Sequence, residues 1–294
     1  MIYTGLTSWT DHPDLYTSTT RKGEELAAYA AHFPIVEMDT SFYAVPNEAK
    51  AYKWLQAAPD SFQFVIKAYQ GMTGHQRGES PYASKEEMFA AFREGIKPFE
   101  VQGRLAMVLC QFPPWFDCRQ EHVDVLRRVR TELSGLPAAL EFRHQSWFKS
   151  KYYDRTLSFM EAENWIHTVC DEPQVGEGSV PSVVEVTHDE KSLIRLHGRN
   201  SQGWRQAKTG PDDESWRKVR YLYDYSAEEL KEWVEAARRL EKATQQVYVI
   251  FNNNSGGHAA KNAQTFLELA GITYEGLAPK QLNLFDDGRT EGGH

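Results

Sequence analysis

Eight short apolar runs recur along the chain, and a longer stretch separates each from the next. They are "IYTGLTS" (2–8), "IVEMDTS" (35–41), "FQFVIKA" (62–68), "LAMVLCQF" (105–112), "AALEFR" (138–143), "WIHTVCD" (165–171), "LIRLHG" (193–198) and "VYVIFNN" (247–253). Each is rich in β-branched and aromatic residues and mostly apolar on both faces. That pattern belongs to strands of a parallel sheet covered on both sides. The stretches between them carry helical periodicity: "KGEELAAYAAHF" after the first strand, "NEAKAYKWLQAA" after the second, "SKEEMFAAFREGIKPF" after the third. "EHVDVLRRVRTEL", "YYDRTLSFMEAE", "SAEELKEWVEAARRLEKA" and "GHAAKNAQTFLELAG" follow the fourth, fifth, seventh and eighth. Asn47 is placed to cap one helix, Ser84 with Glu87 and Ser226 with Glu229 form capping boxes, and Gly271 ends the last helix.

Eight strands with crossovers between them predict an α/β fold, a single TIM-like (β/α)8 barrel over residues 1–276. The sixth crossover, 172–192, holds Pro and Gly and predicts loops where a helix would stand. An open doubly wound sheet is the alternative, but no GxGxxG follows the first strand. Residues 277–294 read as a flexible C-terminal tail. No apolar run approaches transmembrane length and no signal peptide opens the chain, so a cytoplasmic protein is expected. Cys110, Cys118 and Cys170 contain no CxxC pair; Cys110 and Cys170 lie in apolar runs and read as buried thiols, which fits a reducing compartment. A net charge of −8 disfavours nonspecific attraction to DNA or anionic membrane.

Charge inside a core strand is costly unless paired or used. In this chain polar residues interrupt the strand ends, which in a barrel face the mouth. Glu37, Glu141 and His197 are the candidate catalytic groups; Lys67, Gln111, Arg143, Arg195, Arg199, Asn200, Asn252 and Asn253 are candidates to bind substrate. Trp9, Tyr43 and Trp147 could stack a sugar or base. Two carboxylates and a histidine could hold a divalent metal, although no tight motif such as HExxH is present. Long loops at 69–83 and 198–225 follow strands and would lie at the same face; the second carries Arg199, Arg205, Lys208, Arg217, Lys218 and Arg220.

Several stretches resemble the YecE-like family, also called domain of unknown function 72: "VEMDTSFYAVP" (36–46), "LCQFPPWF" (109–116), "LEFRHQSWF" (140–148), "RLHGRN" (195–200), "YLYDYSAEEL" (221–230) and "VIFNNNSGGHAAKNA" (249–263). They run in order along nearly the whole chain. The resemblance implies a TIM-barrel-like fold and leaves the reaction open. By position Glu37, Phe42, Tyr43, Gln111, Pro113, Glu141, Arg143, Trp147, His197, Arg199, Asn200, Asn252 and Asn253 match its motifs, while Asn254 departs from them.

The residues together suit an enzyme for a phosphorylated or nucleic-acid-derived substrate, for instance a DNA-processing phosphodiester hydrolase. They also suit a sugar-phosphate isomerase or lyase, or a non-catalytic protein that binds nucleic acid or a nucleotide. One further segment bears on this choice. "QLNLF" (281–285) resembles the Gln-Leu-x-Leu-Phe peptides by which bacterial DNA polymerases and repair proteins bind the sliding clamp. Gln281, Leu282, Leu284 and Phe285 would be the partner-binding residues, presented from the tail to an apolar cleft.

Overall fold

The structure is a computed structural model that describes residues 1–205 and 219–279. Eight parallel strands close into a barrel in sequence order: β1 (Ile2–Thr7), β2 (Ile35–Met38), β3 (Gln63–Lys67), β4 (Leu105–Gln111), β5 (Ala138–Glu141), β6 (Ile166–Asp171), β7 (Lys191–Leu196) and β8 (Gln246–Phe251). β8 returns to pair with β1, which closes the ring and leaves no sheet edge exposed. The helices are α1 (Glu25–Tyr29), α2 (Glu48–Gln56), α3 (Lys85–Val101), α4 (Gln120–Glu132), α5 (Tyr153–Ala162), α6 (Ser201–Arg205), α7 (Ala227–Glu241) and α8 (His258–Ala270). The sixth crossover is the irregular loop 172–190, as its Pro and Gly content predicts. Among the described residues no helix is long and apolar enough to cross a membrane.

Local chemistry sets the helix ends. Asn47 and Ser84 each accept the backbone N–H three residues on, and Ser226 with Glu229 makes a reciprocal capping box. Ser84 differs from the expected box, because Glu87 reaches past it to the Ala83 N–H at 2.7 Å. The first helix spans only five residues of the predicted twelve. Gly23 stands at φ 95°, outside helical geometry, and the chain turns again after Tyr29. At the opposite face from the mouth, buried Arg104 donates to the carbonyls of Leu55, Ala58 and Phe62. Two of those lie at or just beyond the C-terminus of α2, where a cation meets the negative end of the helix dipole.

A period of two sorts the strand residues. Outward side chains such as Val36, Phe64, Val108, Leu140, Ile194 and Val249 pack under the helices as one cluster. Inward side chains form a separate core of Ile35, Val65, Met107, Leu109, Ala139, Ile166, Leu193, Tyr248 and Ile250. Gly5 faces this narrow interior: a Cβ there would lie 2.3 Å from the Ile35 carbonyl oxygen, so only glycine lets β1 approach β2 so closely. Two residues further along each strand, and four along β6, the same inward direction delivers the next layer: Thr7, Glu37, Lys67, Gln111, Glu141, Cys170, Arg195 and Asn252. The floor of the mouth is therefore polar because the sequence turns polar one period after the apolar layer.

Of the expected tail, 277–279 are described, and the Ala278 N–H donates to the Ala30 carbonyl at 3.0 Å. Gln281, Leu282, Leu284 and Phe285 lie outside the described residues, as do Lys208, Arg217 and Lys218 of the long loop.

Candidate functional site

Glu37, Glu141 and Arg195 meet at the centre of the mouth floor although 104 and 54 residues separate neighbours in the chain. Arg195 donates Nε and Nη2 to the two oxygens of Glu37 at 2.8 and 2.6 Å, a bidentate pair. Its Nη1 donates to Glu141 Oε2. All three side chains are essentially sealed from solvent. Arg143, just past the end of β5, donates Nη1 to Glu141 Oε1 at 3.1 Å and lies 2.8 Å from Glu172 Oε2, off the hydrogen-bond direction. The other oxygen of Glu172 accepts the Val180 N–H at 2.7 Å.

Arg143 Nη1 also lies 3.1 Å from His197 Nε2. A guanidinium only donates, so Nε2 accepts, and the single proton of a neutral ring sits on Nδ1. That atom lies 2.8 Å from Asn252 Nδ2, so the Asn252 amide must be turned to present its oxygen, which then accepts the Nδ1–H. Burial, followed by the charge of Arg143, lowers His197 to about 3, so the ring is neutral at physiological pH. Its basic lone pair is committed to Arg143. The geometry gives His197 the work of orienting that guanidinium.

The carboxyls separate by environment. Burial pushes Glu141 up, but Arg195 foremost and Arg143 outweigh it and hold the group well below the ordinary carboxylate value. Burial raises Glu172 to about 7, with Arg143 and the Val180 N–H opposing only in part. Burial likewise raises Glu37 against the pull of Arg195. One guanidinium nitrogen thus touches a firmly ionised carboxylate and a second carboxyl that changes charge near neutrality. Environments that push two carboxyls apart in this way mark acid and base roles.

Glu141, Cys170 and His197 bring three donor atoms within 4.8 Å of one another, the one group of that kind among the described residues. These residues do not fit a divalent ion. Arg143 Nη1 already occupies the space between Glu141 Oε1 and His197 Nε2. Cys170 is held as the thiol, its value raised well above ordinary by burial and then by Glu141 and Glu172.

The comparisons agree with this architecture. The family model for protein of unknown function DUF72 matches residues 3–284. The chain belongs to the DUF72 family. It is 54% identical to UPF0759 protein YunF of Bacillus subtilis over 97% of this chain and 100% of that protein. It is 27% identical to UPF0759 protein YecE of Escherichia coli K12 over 54% of each chain. Among solved structures, a DUF72 family protein from Enterococcus faecalis V583 superposes with a TM-score of 0.88 at 37% identity, covering 96% of this chain and 100% of that one.

Around the central cluster the DUF72 chain distributes the other expected residues unevenly. Lys67 stays at the mouth, paired with Asp39 at 2.7 Å; burial would lower it, but Asp39 and Glu37 together raise it. Gln111 is half-buried beside Glu141 in the β4–β5 register. Tyr43 is exposed on the rim. Arg199 does not continue the extended face with Arg195 and His197. Gly198, at φ 85°, turns the chain, and a Cβ there would lie 2.5 Å from that of Tyr223. Arg199 is sent instead to Asp171 (2.9 Å), Glu229 (3.0 Å) and Glu232 (3.8 Å), so its charge is spent on carboxylates of the fold.

Four residues expected to touch substrate have structural surroundings. Trp147 is buried, stacks on Phe142 and Phe116, and gives its indole N–H to the Phe116 carbonyl. Trp9 is nearly buried and packs edge-on to Trp54. Asn200 donates to the Val219 and Leu222 carbonyls and accepts the Gly203 N–H, bracing its own loop. Asn253, fully buried, donates to Tyr223 O and Asn262 Oδ1.

Three groups escaped sequence reasoning. Glu172 continues the inward period of β6 through Thr168 and Cys170, a signal legible had the strand been extended by one residue. His75 lies in the long loop after β3; burial, then Lys67 and Arg143, lowers it to about 4. Trp204 has the guanidinium of Arg220 over its ring at 3.8 Å and that of Arg143 at 5.0 Å. A cavity of about 390 Å³, lined by Asp171, Glu172, Gln174, Ser182, Arg199 and Ser201 among others, opens beside Glu172. A larger one, about 520 Å³, is lined by 186–190 before β7 and by Glu161 and Asn164 before β6, at the face away from this chemistry.

Proposed function

We propose that the protein is an enzyme that transfers protons on a phosphorylated or nucleic-acid-derived substrate at the barrel mouth, with phosphodiester hydrolysis as the reaction. The observation that carries this reading is the pair of carboxyls on one nitrogen of Arg143: Glu141 is held ionised and Glu172 is raised toward neutrality. Hydrolysis of a phosphodiester needs a base to take the proton of the attacking water and an acid to protonate the leaving oxygen. Glu172, titrating near neutrality, exchanges a proton readily in either direction. Glu141 remains ionised and fixes Arg143 and Arg195, and a fixed guanidinium stabilises charge that develops on the substrate. Lys67 and the exposed Arg77 add cations at the rim.

The full-length chain, assayed on an aryl phosphodiester, a single-stranded oligonucleotide and sugar phosphates, is expected to turn over the first two. Glu172→Gln should lower kcat by roughly 10²–10⁴, the usual contribution of a positioned acid–base group. Turnover of sugar phosphates alone would make it an isomerase or lyase. Tight binding without turnover of any of them would make it a binding protein.

The C-terminal QLNLF segment serves in this reading as a tether to the bacterial sliding clamp. Tethering raises the local concentration of the barrel near DNA, which offsets the unfavourable net charge of −8. A peptide covering 277–290 is expected to bind the clamp with a Kd on the order of micromolar, because the segment loses ordering entropy on binding. Leu284→Ala with Phe285→Ala should abolish binding and leave the melting temperature of the full chain unchanged. Absence of binding by both peptide and full-length protein removes the tether.

A further inference from the structure

We propose that the side of the mouth formed after β2, β3 and β4 is a second binding subsite, which stacks a neighbouring base of a single-stranded oligonucleotide. This rests on the acid–base reading above and names its substrate class: a chain of at least two nucleotides. Four rings from three successive loops form a continuous wall there. Tyr43 meets Phe42 edge-on at 5.1 Å between centroids, Phe42 meets His75 at 5.1 Å, and His75 meets Trp115 at 6.1 Å. The wall starts at the central cluster, because Lys67 places Nζ 4.9 Å over Phe42 and His75 feels the charges of both Lys67 and Arg143. It ends in solvent, where Trp115 is 50% exposed and Arg77 lies 5.5 Å over its ring.

The chemistry of the wall selects its ligand. Each large aromatic face left in water forgoes burial that the core offers elsewhere. Tyr43 and Trp115 are each half-exposed, on different loops of the same rim. Aromatic faces with cations at the inner and outer ends match a ligand of flat rings joined by anions. A base stacks on any aromatic face without sequence preference, and its linkage meets a cation. A neutral oligosaccharide would stack on the rings but offer no counter-charge to Arg77 at the outer end. A duplex hides its base faces, and the net charge of −8 repels its dense phosphates. A short single strand uses every feature.

The test measures binding of the full chain to thymidine 5′-monophosphate, a thymidine tetranucleotide, a duplex of equal length and a neutral gluco-oligosaccharide. The tetranucleotide is expected to bind at least about tenfold more tightly than the mononucleotide. Trp115→Ala should weaken tetranucleotide binding by about tenfold and leave the mononucleotide unchanged, and Trp115→Phe should restore most of the loss. The salt dependence should be shallow, since few phosphates meet a cation. Equal affinity for mono- and tetranucleotide, or an equal loss on both in Trp115→Ala, overturns the subsite and leaves the acid–base reading standing. Binding of the oligosaccharide, or of the duplex in preference to the single strand, overturns the assigned ligand. No binding of any nucleotide overturns the subsite, and turnover of the aryl phosphodiester then decides the acid–base reading by itself.

Discussion

Arg195→Met is expected to destabilise the protein by about 3–5 kcal/mol, the usual cost of leaving buried charge unpaired. Arg195 is 1% exposed and, among the described residues, is the sole guanidinium bonded to Glu37, while it shares Glu141 with Arg143. Removing it leaves two carboxylates facing each other in the barrel without the cation that separates them. They would respond by taking up protons, so the variant should recover stability in acid while the parent does not. Urea denaturation at pH 7.5 and pH 5 reads both effects. A loss below ~1 kcal/mol at pH 7.5 would mean that the Glu37–Arg195–Glu141 triad is not paired as described. Replacing all three residues by apolar ones of similar volume should recover much of the lost stability, because desolvating ions commonly offsets their attraction. A triad dispensable to the fold but required for turnover would owe its place to chemistry.

The fold was legible because each strand declares itself locally. Apolar runs of β-branched and aromatic residues and helical periodicity need no knowledge of partners, and all eight strands lie where they predict, within three residues at either end. The floor of the mouth was legible for the same reason: Glu37, Lys67, Glu141 and Arg195 interrupt apolar runs at inward positions. Pairing was not legible. Nothing local says that Arg195 turns to Glu37, 158 residues away, or that Arg143 is shared by Glu141, Glu172 and His197. Beyond the strand ends the period of two fails. Gly198 redirects the chain and takes Arg199 to Asp171. The residues after Asn252 turn so that Asn253 bonds Asn262 and the Tyr223 carbonyl. Motif position alone also fails to separate packing from binding: Trp147 and Asn200 lie in the same matched stretches as Glu141 and His197, yet their bonds hold loops together.

Stability should titrate differently in the wild type and in Glu172→Gln, and the sign follows from which state holds the proton. Burial raises Glu172 in the folded protein from 4.5 to about 7. Between those values the folded state binds the extra proton, so this group's contribution is complete below about 4.5 and is lost as pH rises through about 7. His197, His167 and His75 act in the opposite sense. Burial lowers them to about 3, about 4 and about 4, so below 6.5 the unfolded chain binds more protons and the native state loses stability on acidification. Glu141, held low, adds to that loss only as pH falls below 4.5. In the wild type Glu172 therefore offsets one of these histidines between about pH 7 and pH 4.5. Glutamine has no proton to gain. The stability of wild type relative to Glu172→Gln should rise by about 3 kcal/mol from pH 8 to pH 4.5, since one proton held by the folded state alone contributes ~1.4 kcal/mol per pH unit. Chemical denaturation of both proteins across that range, with the difference plotted against pH, isolates the one carboxyl from the histidines. Parallel curves would show that Glu172 carries no extra proton at neutrality and would remove it as the acid–base group. A difference that bends near pH 7 would predict the same inflection in the rate of turnover, since in the proposed reaction the proton that stabilises the barrel mouth is the one offered to the leaving oxygen.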